Sequence, residues 1–298
     1  MRKHSQALVA ASMLIGGMGA CATADGPGNP DASLNVVAAF YPLEFVADRI
    51  GGEHVAVTGL APPGVEAHDL ELTPSQVAEL SQADLVIYLD GFQPAVDNAV
   101  AGYAAGEPFD VAGAVPLLST QDDDHGSGDP HIWLDPLRLA MIGDELAARF
   151  AALDPDHGEE YAANAADLRA ELTALDAEYV DGLADCQRRE IVVSHAAFGY
   201  LADRYDLRQI AITGLSPETE PTPQRLAEVI SQAQRHGATT IFFEVLVSPE
   251  VADVIATHVG ARTAVLDPIE GLSPGSGDDY GSLMRANLDT LRTALDCT

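Results

Sequence analysis

Three observations along the 298-residue chain predict an α/β protein of two parallel-sheet α/β lobes bridged by one long helix. Short β-like runs alternate with helical segments, as parallel sheets require. Helix starts carry a repeated signature, a Ser, Thr or Asp cap followed by Pro at the first helical position. One amphipathic stretch between the two groups of strands is longer than an ordinary crossover helix. With 47% hydrophobic side chains the chain has enough apolar material for two domains of ordinary size.

Taken in order, residues 1–20 stand apart. Arg2 and Lys3 precede an apolar, small-residue run from Ala7 to Ala20, which reads as a secretory signal. That run is short of the roughly 20 residues a permanent membrane helix needs. Met18-Gly19-Ala20-Cys21 resembles a bacterial lipobox, although Met18 departs from the usual aliphatic residue. The resemblance implies that Cys21 becomes an acylated N-terminus, so that the chain is extracytoplasmic and fixed to the outer face of the cell membrane through lipid alone. Residues 21–33, rich in Gly, Pro, Asp and Ala, read as a flexible tether.

A first lobe is expected over residues 34–153, with strands at Asn35 to Phe40, His54 to Leu60 and Leu85 to Tyr88. A second is expected over 188–298, with strands at Glu190 to Ser194, Gln209 to Ile212, Thr240 to Glu244 and Thr263 to Leu266. Thr73-Pro74, Asp135-Pro136, Asp154-Pro155, Thr222-Pro223 and Ser248-Pro249 mark helix starts. The linking segment, 154–187, repeats Tyr161, Leu168, Leu172, Leu175, Tyr179 and Leu183 at helical spacings, which predicts a single helix of about 45 Å. The lobes share a distant similarity of plan. Export implies an oxidising compartment, where Cys186 and Cys297 form an even pair; a disulfide closing about 110 residues is the natural expectation, with two buried thiols as the alternative.

Charge narrows the partners. Against 46 Asp plus Glu there are 15 Lys plus Arg, a formal net charge of −31, which disfavours nucleic acid. Such a field gathers cations and equally serves solubility. The nine histidines sort by position. His68 lies in a turn-rich stretch beyond the second strand, and His131 sits in a loop leading into a capped helix. His195 directly follows the strand Ile191-Val192-Val193-Ser194, and Asp267 directly follows Thr263-Ala264-Val265-Leu266. In parallel sheets the binding crevice lies at the carboxyl ends of the strands, so two candidates from each lobe can meet at one point. Three imidazoles and one carboxylate suit a borderline-soft divalent metal such as Zn2+. Four protein ligands without a reserved open position describe carriage better than water activation. His125, in the acidic run Asp122-Asp123-Asp124-His125, is a possible accessory metal ligand or part of a solvated charge run.

At these residues the sequence resembles the zinc and manganese solute-binding proteins of bacterial ABC transporters. The likeness rests on Gly64-Val65-Glu66-Ala67-His68-Asp69-Leu70, on Asp129-Pro130-His131-Ile132-Trp133-Leu134-Asp135-Pro136, and on Ser194-His195-Ala196-Ala197-Phe198-Gly199-Tyr200. It extends to Ser216-Pro217-Glu218-Thr219-Glu220-Pro221 and Leu266-Asp267-Pro268-Ile269-Glu270-Gly271-Leu272. The resemblance implies metal held between the lobes by His68, His131, His195 and Asp267, and an ABC transporter permease as partner to a monomeric, non-enzymatic receptor. Members that look manganese-specific carry Glu where this chain has His195, so the resemblance favours zinc, with Mn2+ as the alternative.

Three other classes compete. A metal-dependent hydrolase would need an open coordination position and a general base such as Glu66 or Glu244, and no zinc-protease helix motif is present. A surface adhesin accounts for an anchored two-lobed domain but not for the ligand set. A sugar or amino-acid receptor is disfavoured by a single Trp and few other aromatics.

Overall fold

In a computed structural model of the chain, residues 32–105, 108–118 and 128–298 are described; the signal, Cys21, most of the tether and His125 lie outside them. The first sheet contains β1 (Leu34–Ala38), β2 (Val55–Gly59), β3 (Leu85–Tyr88) and β4 (Phe109–Asp110), in the order β2-β1-β3-β4. The second contains β5 (Glu190–Val193), β6 (Arg208–Ala211), β7 (Thr240–Phe243) and β8 (Arg262–Val265), in the order β6-β5-β7-β8. All pairings are parallel. The two lobes therefore share one plan, with a switch point beside β1 and beside β5 where a crevice opens at the strands' carboxyl ends. Strand β4, only two residues long, is too short to leave a periodic signal in the sequence.

Nine helices surround the sheets among the described residues: α1 (Tyr41–Gly51), α2 (Pro74–Leu80), α3 (Pro94–Tyr103), α4 (Pro136–Leu153), α5 (Gly158–Gly182), α6 (Gly199–Arg204), α7 (Pro223–Arg235), α8 (Glu250–Val259) and α9 (Tyr280–Leu295). Thr73, Asp135 and Thr222 each accept a backbone N–H in the first turn of α2, α4 and α7, the capping their sequences predict. Asp154-Pro155 instead opens a short 3-10 turn, and the Asp154 carboxylate accepts from the Tyr161 hydroxyl at 2.9 Å.

The long helix α5 spans 25 residues, shorter at both ends than the periodic pattern suggests, because residues 155–157 form the 3-10 turn and the chain leaves the helix at Leu183. Its buried stripe, including Tyr161, Leu168, Leu172 and Tyr179, packs on α1 and α4 of the first lobe and on α9 of the second. Polar pins hold each end. Arg49 reaches Glu171 at 2.6 and 2.7 Å from the first lobe, while Arg204 reaches Asp176 and Arg285 reaches Glu178 from the second. The Tyr179 hydroxyl donates to the Met284 carbonyl in the buried seam.

One continuous apolar core runs from the first sheet across α5 to α9 and one face of the second sheet. A smaller one, including Val192, Ile210, Val229, Ile241 and Ile255, lies beneath α7 and α8. Cys186 and Cys297 are disulfide-bonded, fastening the chain beyond α5 to the chain beyond α9. Among the described residues no helix is long and apolar enough to cross a membrane.

Candidate metal centre

His68 hangs from the loop between β2 and α2. Gly64, at φ 88°, turns that loop close against the second lobe, and its N–H donates to the Leu272 carbonyl at 2.8 Å. The Gln93 amide holds the loop from the other side through the Ala67 carbonyl. His68 packs edge-on against Phe92, 4.5 Å between centroids.

His131 precedes a 3-10 turn, Ile132–Leu134, that leads into α4. Buried Asp129 fixes it twice, accepting the His131 backbone N–H at 3.0 Å and lying 2.8 Å from Nδ1. Gly199 makes room for that carboxylate, since a Cβ there would overlap Asp129 Oδ2. The Tyr200 hydroxyl donates to the Asp129 carbonyl, so the second lobe steadies a candidate ligand of the first.

His195 stands two residues beyond the end of β5, and Glu244, directly after β7, lies 2.7 Å from its Nδ1. A carboxylate at that distance keeps the imidazole proton on Nδ1 and turns the Nε2 lone pair inward, an arrangement metal-binding histidines commonly use.

The carboxylate that joins the three imidazoles is Glu270. Asp267 is buried, but its Oδ1 accepts from the Ile269 N–H at 2.8 Å and its backbone is clasped by the Asn287 amide. That turn places Ile269 at φ 57°, a conformation β-branched residues rarely adopt, and swings the next residue into the cleft.

Glu270 Oε1 lies 3.6 Å from His68 Nε2, 3.4 Å from His131 Nε2 and 3.3 Å from His195 Nε2. The His131 and His195 Nε2 atoms are 3.2 Å apart. Four ligands at zinc distances of about 2.1 Å on a tetrahedron stand about 3.4 Å from one another. The observed spacings match those edges. They are long for hydrogen bonds, and both His68 Nε2 and Glu270 Oε1 are buried without a hydrogen-bond partner. Donors this close around a shared centre suit a cation better than one another.

The electrostatics agree. Burial opposes charge on Glu270, yet the three imidazoles hold its carboxyl well below the usual range. Burial likewise opposes charge on His195, but Glu244 and Glu270 push it up to about 10. His131 is raised by Asp129 and Glu270 against the effect of burial, whereas burial lowers His68. Burial and the neighbouring Glu270 push Glu66 up to about 8. Glu66, Asp69 and Glu218 each bring a carboxylate oxygen within 4.8 Å of the others, an acidic group drawn from both lobes.

Sequence reasoning brings His68, His131 and His195 to this point and misses Glu270 as the fourth member. Asp129 and Glu244 are the positioning carboxylates it does not identify; Asp129 stands two residues before His131, and Glu244 follows a strand, which is the signal available for each.

A family model described as "Zinc-uptake complex component A periplasmic" matches residues 36–294. The high-affinity zinc uptake system protein ZnuA of Bacillus subtilis is 32% identical over 309 residues, covering 97% of this chain and 96% of that protein. The zinc-binding lipoprotein AdcA of Streptococcus pneumoniae is 32% identical over 284 residues, 89% of this chain but 56% of that longer protein. Among solved structures, the Zn(II)-bound ZnuA-like domain of S. pneumoniae AdcA superposes with a TM-score of 0.76 at 32% identity, covering 89% of this chain and 100% of that one. The laminin-binding protein of Streptococcus agalactiae, described as an adhesin with metal-transporting activity, gives 0.80 at 29% identity, covering 88% and 99%.

Proposed function

The chain belongs to the family of periplasmic component A proteins of zinc-uptake complexes, and from that premise we propose that it captures Zn2+ between its lobes and delivers it to an ABC transporter permease. The observation that carries this reading is the meeting of His68, His131, His195 and Glu270 at tetrahedral spacing. Three neutral nitrogens and one carboxylate form a donor set that suits borderline-soft zinc more than the harder manganese ion. All four positions are filled by protein, which suits cargo held dry rather than a metal that activates water. Of the bases a hydrolase would use, Glu244 is committed to His195 Nδ1.

The family is one of receptors outside the cytoplasm, and the finer placement follows from the N-terminus: Cys21 carries lipid and fixes a monomer to the membrane surface. Mass spectrometry of membrane-extracted protein tests that point, since an unmodified N-terminus elsewhere would refute it. For the metal, calorimetric titration of chelator-stripped protein with zinc and with manganese is decisive. One tight zinc site per chain is expected, with manganese weaker. Absence of a one-to-one zinc site would overturn the reading.

A further inference from the structure

A cavity of about 630 Å³ lies on the seam between the lobes, and none of the four clustered donors lines it. One wall is α1, presenting Tyr41, Glu44, Phe45 and Asp48; the other is the segment before α9, presenting Asp278 and Asp279. Phe45 stacks on buried Tyr280, 5.4 Å between centroids, so the aromatic surface is rigidly backed. Gly59 at the end of β2 completes the shape, because a Cβ there would overlap the Glu44 carboxylate.

Arg49 and Arg285 offset part of the negative charge in this cavity, at Asp279, and leave the Glu44 and Asp48 side without a basic partner among the described residues. Among the described residues Arg49 is the cavity's only lining cation, and it is already held by both oxygens of Glu171. Asp279 caps α9, which holds its carboxyl below the usual range, and Asp278 accepts from the Ser276 hydroxyl. Among the described residues, neither the Glu44 nor the Asp48 carboxylate has a hydrogen bond or ion pair. Burial raises both carboxyls, and the Asp48 charge raises Glu44 further. The Tyr41 hydroxyl is pushed up to about 12, first by burial and then by Asp279, Glu44 and Asp278, so charges from both walls bear on one point.

We propose that this cavity is a socket for an amphiphilic organic cation, a guanidinium or ammonium head on an apolar stem, as an arginine or lysine side chain presents. The carboxylates are distributed round the cavity and are not among the groups whose ligand atoms gather within 4.8 Å, an arrangement that suits several separated N–H donors rather than one metal ion. Tyr41, Pro62 and Pro63 offer the stem apolar contact, while the Phe45 ring already has Tyr280 stacked on it and the Arg49 guanidinium 5.8 Å from its centroid. A side chain seated there touches both lobes at once.

Agmatine, a guanidinium on a four-carbon stem, is the probe. Calorimetric titration of the full chain should give one saturable site, weakened roughly tenfold in the Glu44→Gln/Asp48→Asn double variant, as two modest ion pairs would give. Zinc titration of the same variant should match wild type, which verifies its fold and separates this socket from the metal reading. Amide NMR shifts caused by agmatine should centre on Gly59. The proposal is overturned if agmatine does not bind, if both proteins bind it equally, if neutral butylurea binds as well, or if magnesium at matched ionic strength displaces it fully.

Discussion

The indole Nε1 of Trp133 donates to the Pro268 carbonyl at 2.7 Å, tying the segment that carries His131 to the segment that carries Glu270. The Tyr280 hydroxyl closes the same knot by donating to the Trp133 carbonyl at 2.7 Å. All of these groups are buried. Trp133→Phe keeps an aromatic ring but leaves the Pro268 carbonyl without its donor, which should destabilise the metal-free chain by about 1–3 kcal/mol. Urea denaturation measures this. An unchanged midpoint would mean that water or a rearrangement satisfies the carbonyl.

The two carboxylates of the turn after β8 should separate cleanly in zinc titrations. Glu270→Gln removes the charged oxygen at the centre of three imidazoles and should weaken zinc more than loss of an outer partner does, beyond roughly 100-fold. Asp267→Asn keeps an acceptor for the Ile269 N–H and should bind zinc nearly as wild type does. The opposite ranking would return Asp267 to the ligand set.

Asp129→Asn and Glu244→Gln leave the ligands in place but remove the charge behind each imidazole. Zinc affinity should fall by about 10–100-fold in each, the usual cost of losing such a partner. Equal affinities would show that packing alone orients the two rings.

The Asp267 to Glu270 turn also shows where sequence reading runs out. A ligand placed directly after an apolar strand is a sound expectation for His195, which enters the cleft two residues beyond the end of β5. After β8 the same rule points to Asp267, but a left-handed residue at Ile269 advances the chain three residues before a side chain enters the cleft. Glycine or asparagine announces such a backbone, whereas isoleucine conceals it. Seven of the eight strands, the cap-and-proline starts of α2, α4 and α7, and the long helix are legible because period and capping are local chemistry, whereas Asp154-Pro155 opens a 3-10 turn and α8 begins one residue beyond Ser248-Pro249. The matching strand order of the two sheets, by contrast, depends on crossovers that local pattern only suggests.

Removing the disulfide should cost stability without costing metal. The bond closes a separation of 111 residues, for which chain entropy gives about 4–5 kcal/mol, and observed losses for such bonds run about 2–5 kcal/mol. It lies before the amino end of β5, whereas His195 follows the carboxyl end. The Cys186→Ser/Cys297→Ser protein should therefore unfold at lower urea yet bind zinc as wild type does. A matching loss of zinc affinity would show that the bond holds the lobes in their binding arrangement.

Stability and zinc affinity should run in opposite directions with pH. In the metal-free chain His195 is pushed up to about 10, and His131 is also raised, by the carboxylates of Glu244, Asp129 and Glu270 overcoming burial. A histidine raised above its unfolded value of about 6.5 contributes stability that is full below that value and lost as pH rises through the folded value. Glu66, held up to about 8, acts in the same sense, its contribution being lost between about pH 4.5 and about pH 8, while lowered His68 opposes that loss below about pH 6.5. Glu270 is lowered instead, so its contribution is complete above about 4.5 and constant through this window. Metal-free protein should accordingly lose stability between about pH 6.5 and about pH 10. Zinc needs the same imidazoles unprotonated, so its affinity should keep rising across that interval and each binding event should release protons. Urea midpoints with chelator, set beside zinc competition assays at about pH 6, 7.5 and 9, test both slopes. An affinity already level above about pH 7 would mean that these histidines titrate near their unperturbed value and that Glu244 and Asp129 orient the rings without holding their protons.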